Sequence, residues 1–165
     1  MSRPMHVSDS IEVAADPMRI YNELADPSHM ARWSPENEGT DGPGRGPLSV
    51  GDEFVGRNRR GFVRWTTTCT VNVADPGEKF AFRVNRIGLR RPVLRTPIAT
   101  WTYTLEPAGD GITRVTETWQ DDRTGWPDAW AARFDKVATS GSTFDRFQAK
   151  NIERTLARLK ADLER

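Results

Sequence analysis

Two side chains on neighbouring strands of this chain have the types needed for proton chemistry. Glu117 lies in the run Ile112–Gln120 and Tyr103 in the run Ile98–Glu106, and both runs alternate as strands do. Alternation places Trp101, Tyr103 and Leu105 on one face, and Val115, Glu117 and Trp119 on one face of the next strand. A carboxyl group on an inward face must pair or take up a proton, because burial disfavours the ion. Held near neutrality, Glu117 would be a general acid or base, and Tyr103 would be placed to polarise a carbonyl. Aldol cyclisation and dehydration need those two roles. The competing reading pairs Glu117 with Arg86 or Arg83 and makes it structural.

The same alternation supplies a wall for these groups. Trp65, Thr67 and Cys69 join Val71 and Val73 on the inward face of Phe62–Asp75, and Phe80, Phe82, Val84 and Arg86 share the inward face of Lys79–Ile87. Phe54, Gly56 and Asn58 continue it on Asp52–Arg60. Trp33, Phe144 and Phe147 complete the candidate ligand-binding set from the helices. The expected site is thus an aromatic pocket with Asn58, Arg86, Tyr103 and Glu117 as its sparse polar groups, the make-up of a small-molecule site. Flat indole faces suit an aromatic or polycyclic ligand, and Arg86 suits a ligand carboxylate. Trp126 and Trp130, four residues apart, read either as a lid or as a staple for the connecting segment.

Other chemistries lack their residues. His6 and His29 stand alone, with no Cys, His or Asp at ligand spacing, so neither metal nor cofactor is expected. Cys69, mid-strand, reads as an inert buried thiol. No Gly-x-Ser-x-Gly and no Walker-type loop occurs; Gly39–Gly51, with five Gly and two Pro, reads as a mobile loop that could gate the pocket.

The positioning elements follow from local signals. His6–Val13 reads as a first strand. Asp16-Pro17 opens a helix to Ala25, and Asp26-Pro27 opens a second, running to about Trp33. Glu36–Thr40 reads as a short edge strand, and strands then fill Gly51–Gln120, with turns at Arg60-Gly61 and Pro76-Gly77 and an irregular basic stretch at Gly88–Pro97. Asp128–Ala138 reads as a short helix. From Ser142 to Arg165 there is no Gly or Pro, and Phe144, Ile152, Leu156, Leu159 and Leu163 recur at helical spacing. One long amphipathic helix against one antiparallel sheet is an α+β architecture, and a helix laid across a curved sheet leaves a pocket.

The 165 residues suit one domain. Lys plus Arg at 24 against Asp plus Glu at 23 gives a net charge of +1, which supplies no overall field for nucleic acid or an anionic membrane. The basic segment Arg86–Arg95 accordingly reads as a solvated loop. No apolar run reaches the ~20 residues of a membrane span. The start, MSRPMHVSDSIEV, lacks an apolar signal core, and a single Cys fits a reducing cytoplasm.

Several segments together resemble a known superfamily. They are Ile11-Glu12-Val13-Ala14 with Asp16-Pro17 and Tyr21, then Asp26-Pro27 and Trp33-Ser34-Pro35, then Gly51-Asp52-Glu53-Phe54. Pro76-Gly77-Glu78-Lys79-Phe80-Ala81-Phe82, the hairpin Trp101 to Glu117, and Leu156 with Leu159-Lys160 follow in order. This series resembles the START-like SRPBCC superfamily, the polyketide cyclase/dehydrase and lipid-transport proteins. The resemblance implies a helix-grip fold over a single domain of residues 1–165: a curved antiparallel sheet of six to seven strands around a long C-terminal helix, with two short helices after the first strand. It implies a hydrophobic small molecule as partner, no nucleic acid, no membrane insertion, and a monomer or homodimer. It leaves two functions open, an acid/base cyclase or dehydratase and a non-catalytic carrier or sensor.

Overall fold

The computed structural model describes residues 5–139 and 141–165, so the first four residues of the N-terminal reading lie outside it. The strands are β1 (His6–Val13), β2 (Asn37–Asp41), β3 (Glu53–Arg60), β4 (Val63–Asp75), β5 (Lys79–Gly88), β6 (Leu94–Gly109) and β7 (Ile112–Asp121). They form one antiparallel seven-stranded sheet in the order β1-β7-β6-β5-β4-β3-β2. The helices are α1 (Pro17–Ala25), α2 (Met30–Trp33), α3 (Asp128–Ala138) and α4 (Phe144–Leu163). This is the helix-grip α+β fold.

Local chemistry starts each helix where the sequence signals it. The Asp16 carboxylate accepts from the Met18 amide at 2.8 Å and Pro17 takes the first helical position. Asp26 repeats the device ten residues later, at the end of α1, but the segment it opens is divided into a 3-10 turn, Pro27–His29, and the single turn of α2. The β3–β4 and β4–β5 hairpins turn on Gly61 (φ 59°) and Gly77 (φ 74°), left-handed conformations that a side chain disfavours.

The helix α4 buries Ile152, Leu156, Leu159 and Leu163, and packs on β1, α2 and β7. It grips one side of the sheet, while α1 lies across β5 and β6. The core between them holds Ile20, Leu24, Trp33, Phe80, Val115 and Trp119, all essentially inaccessible. Full burial of such side chains is worth about 1.5–3 kcal/mol each.

Two bulges alter the expected faces. Cys69 pairs with Val84 but Thr68 pairs with Arg86, so Asn85 is an extra residue and the alternation reverses there. Arg86 therefore joins Thr68 on the outer face and is exposed, while Ile87 turns inward opposite Thr67. A second irregularity between Val71 and Val73 moves Val73 to the outer face opposite Ala81. β6 begins at Leu94, within the stretch expected to be irregular, because Leu94 and Arg95 pair with Ile87 and Arg86.

Candidate active site

β6 and β7 run in register without interruption from Ala99 to Pro107, and this sets Tyr103 directly opposite Glu117. Both are buried, Glu117 at 1% exposure. The Tyr103 hydroxyl donates to Glu117 Oε1 at 3.0 Å. Glu117 Oε2 is buried and finds no protein partner among the described residues. Burial pushes the Glu117 carboxyl up to about 8, against a smaller downward pull from the Tyr103 bond. Burial, together with the adjacent Glu117, also drives the Tyr103 hydroxyl well above its ordinary value. Glu117 is thus mostly protonated at neutral pH, and its outer oxygen can donate.

The structural pairing with an arginine does not occur. Arg83 reaches Asp122 at 3.7 Å on the outer face, and Arg86 is exposed. The third member of the buried group is Trp33, whose ring meets Tyr103 edge-on with centroids 5.8 Å apart. Its indole Nε1 is also buried and without a protein partner among the described residues. α2 delivers Trp33, and the chain leaves it into β2, where the Asn37 amide nitrogen is similarly unpartnered. Gly56, opposite Thr40 on β2, leaves bare backbone beside this amide: a methyl there would lie 3.1 Å from Thr67 Oγ1 and 3.5 Å from Asn37 Nδ2. Asn58 donates to Thr67 Oγ1 at 3.3 Å in the same patch.

The remaining aromatic candidates form a ladder from the core outward. Trp119, opposite Trp101, stacks at a tilt on Phe144 at 5.5 Å, and Phe144 meets Phe147 at 6.4 Å. The Arg60 guanidinium covers the Phe147 ring at 3.7 Å and approaches the Trp65 ring at 5.4 Å. Arg60 is held by Glu36 at 2.6 Å. Glu36, Arg60 and Phe147 border a cleft of about 240 Å³ whose lining is otherwise mostly polar and includes Arg59, Lys150 and Arg154. Phe82 is placed differently, packed in the core against Phe54 and Phe80. The structure therefore gathers Trp33, Tyr103 and Glu117 in one group, Trp119, Phe144, Phe147 and Trp65 in a second, and leaves Arg86 outside both.

Other side chains are placed as follows. Trp126 is a staple, edge-on to Phe134 at 5.6 Å with its Nε1 donating to Thr96, whereas Trp130 points to solvent. The glycine-rich loop is tied down, with Gly46 N on Asp26 Oδ2 at 2.7 Å and Leu48 N on the Ala25 carbonyl at 2.9 Å. Cys69 is buried and its thiol is pushed up to about 12, which removes it as a nucleophile. Among the described residues no cluster of His, Cys, Asp and Glu is placed to hold a metal, and no helix is long and apolar enough to cross a membrane.

One buried cluster carried no expectation. Arg123, 1% exposed, donates from Nε and Nη2 to the two oxygens of Asp121 at 2.9 Å each and from Nη1 to Asp135 at 2.7 Å. Its plane also lies 4.9 Å from the Phe144 ring. Asp121 continues the inward phase of Glu117 and Trp119, so strand alternation carried part of this signal. Arg123 and Asp135 lie beyond the strand, and only the tertiary fold brings them to it.

Comparison with solved structures places this geometry in a known group. A START superfamily protein from Mycobacterium smegmatis superposes with a TM-score of 0.70 at 14% identity, covering 98% of each chain. Protein CV1439 from Chromobacterium violaceum gives 0.68 at 16% identity, covering 98% of this chain and 99% of that one. The polyketide-cyclase-like protein Cgl2372 from Corynebacterium glutamicum gives 0.56 at 26% identity, covering 99% and 94%. No curated protein sequence matches the chain. The family model for polyketide cyclase / dehydrase and lipid transport matches residues 4–164. With that match spanning nearly every residue, the chain belongs to the polyketide cyclase / dehydrase and lipid transport family.

Proposed function

We propose that this protein binds a hydrophobic, aromatic or polycyclic small molecule bearing a ketone or hydroxyl oxygen, and that Glu117 performs acid/base chemistry on it. The observation that carries this reading is the Glu117 carboxyl: fully buried, anchored through Oε1 by Tyr103, and with Oε2 unpartnered. An acid near neutrality can both accept and return a proton at physiological pH. In a dehydration, the ionised fraction of Glu117 takes the α-proton of a β-hydroxyketone. The C–H electron pair becomes the new C=C bond as the C–O bond breaks. Glu117 returns that proton to the departing hydroxyl, so water leaves and the carboxylate is restored. The Trp33 N–H is a second donor for a ligand oxygen. Trp119, Phe144, Phe147 and Trp65 offer ring faces to the apolar body, with Asn58 and Trp101 beside them.

A non-catalytic carrier is the second reading, favoured by one observation. Among the described residues no cation and no second carboxylate touches Glu117, so its proton can serve as a fixed donor to a bound oxygen without turnover. The single buried Cys69 fits a cytoplasmic setting for either reading.

The test is native mass spectrometry of protein purified from its own host, with extraction of any bound compound, followed by titration of that compound against wild type and Glu117→Gln. The expected result is an apolar oxygen-bearing molecule whose affinity or turnover falls at least tenfold in the variant. If both stay unchanged while the compound remains bound, Glu117 has no role in the site. Loss of turnover with retained affinity separates the enzyme from the carrier.

A further inference from the structure

The β3–β4 hairpin tip and the β5–β6 loop stand side by side, because Thr66 of β4 pairs with Gly88 of β5. Of the ten exposed large apolar side chains among the described residues, five crowd these two tips: Phe62 (103% exposed), Val63, Leu89 (75%), Val93 (80%) and Leu94. The loop is formed rather than loose. Gly88 passes so close to the Arg91 carbonyl oxygen that a methyl on it would lie 1.7 Å away, and Val93 N bonds that same oxygen at 2.9 Å.

Charge is segregated at the same place. Residues 86–97 contain Arg86, Arg90, Arg91 and Arg95 and no acidic residue. Among the described residues none of these four takes an ion pair. The hairpin arginines Arg57, Arg59, Arg60 and Arg64, by contrast, are tied to Asp41, Glu38 and Glu36 of β2 and its approach. A chain with a net charge of only +1 thus gathers four guanidinium groups without an ion pair among the described residues beside five of its exposed apolar side chains. Convex apolar tips suit a headgroup layer that deforms around them, and guanidinium groups bind phosphate oxygens in pairs of hydrogen bonds.

We propose that these two tips dock the protein on anionic lipid bilayers. The apolar side chains enter the headgroup layer and Arg90, Arg91 and Arg95 bind lipid phosphates. This is surface attachment, requires no membrane-crossing element, and stands whether or not the pocket binds a ligand. It also sets the cleft at Arg60, Gly61 and Phe147 beside the bilayer, since Gly61 belongs to both the cleft and the hairpin turn.

The experiment is sedimentation of the full chain with phosphatidylcholine vesicles, with and without phosphatidylglycerol, at low and high salt. Partitioning onto the anionic vesicles alone, weakened by salt, is expected. At about 1 kcal/mol per arginine near the surface, Arg90→Gln with Arg91→Gln lowers the partition coefficient about thirtyfold. Phe62→Ser with Leu89→Ser lowers it independently. Circular dichroism melts of all three proteins should coincide, because the altered side chains are exposed. No partitioning onto anionic vesicles, equal partitioning onto neutral ones, or a double arginine variant that binds like wild type would each overturn the proposal. So would an arginine-dependent acidic protein partner without vesicle binding.

Discussion

Replacing Glu117 with Gln should stabilise the protein in one direction of pH and not the other. The native carboxyl titrates near 8 and the unfolded one near its ordinary 4.5. Between those values the native state holds a proton that the unfolded chain has lost, so folding stability falls as pH rises. At about 1.4 kcal/mol per pH unit, the loss from this group is about 3 kcal/mol by neutrality and approaches about 5 kcal/mol at the top of the window. Gln is neutral throughout, and its carbonyl oxygen can still accept the Tyr103 bond. Urea unfolding of both proteins should therefore agree near pH 4.5 and diverge steadily toward pH 8, with the variant the more stable. Other titrating groups, such as Glu36, are common to both proteins and cancel in the difference. Parallel profiles would refute the reasoning. So would a wild type that gains on the variant as pH rises, since that sign belongs to a carboxylate held ionised by a cation.

Tyr103→Phe removes the one bond that holds the Glu117 acid down, so the midpoint of the same pH profile moves higher. The variant also loses about 1–3 kcal/mol for the orphaned oxygen, read from the same urea curves. Arg123→Met takes from the buried Asp121 and Asp135 the guanidinium that pairs both of them, and should cost about 3–5 kcal/mol in chemical denaturation. Arg123→Lys does not restore this stability, because one ammonium cannot span both carboxylates with the guanidinium's geometry. Cys69, 3% exposed with its thiol pushed up to about 12, should resist iodoacetamide in the native protein and add one carbamidomethyl group in denaturant, by intact mass.

Where strand pairing is regular, alternation in the sequence decides which way side chains point. β6 and β7 are in that class, and Trp101, Tyr103, Glu117 and Trp119 share the inner face for that reason. Arg86 fails the same logic because one extra residue, Asn85, reverses the pleat, and no property of the local sequence announces the bulge. The glycine-rich loop reads as mobile because composition is blind to Asp26, whose carboxylate caps the 3-10 turn and holds Gly46 at once. The net charge misleads in a related way. It averages over arginines that β2 neutralises and arginines that nothing among the described residues does, and only the fold separates the two sets.

β7 itself distinguishes structural burial of charge from the other kind. Glu117 and Asp121 lie four residues apart on the same strand face, both at 1% exposure. Asp121 accepts two side-chain bonds from Arg123 and one from its backbone N–H, so the cost of burying it is offset by donors in good geometry. Glu117 receives one bond from a tyrosine, and one of its oxygens has no protein donor among the described residues. The Trp33 indole nearby is left in the same condition. Buried polar groups in native proteins are nearly always satisfied, and this strand satisfies one carboxylate fully. Two unmet groups around a single tyrosine, a donor and an acid near neutrality, are complementary to an oxygen-bearing ligand. A neutral amide at 117 would keep the Tyr103 bond and give the fold more stability at neutral pH, a cost that the proposed ligand-binding role of the carboxyl would account for.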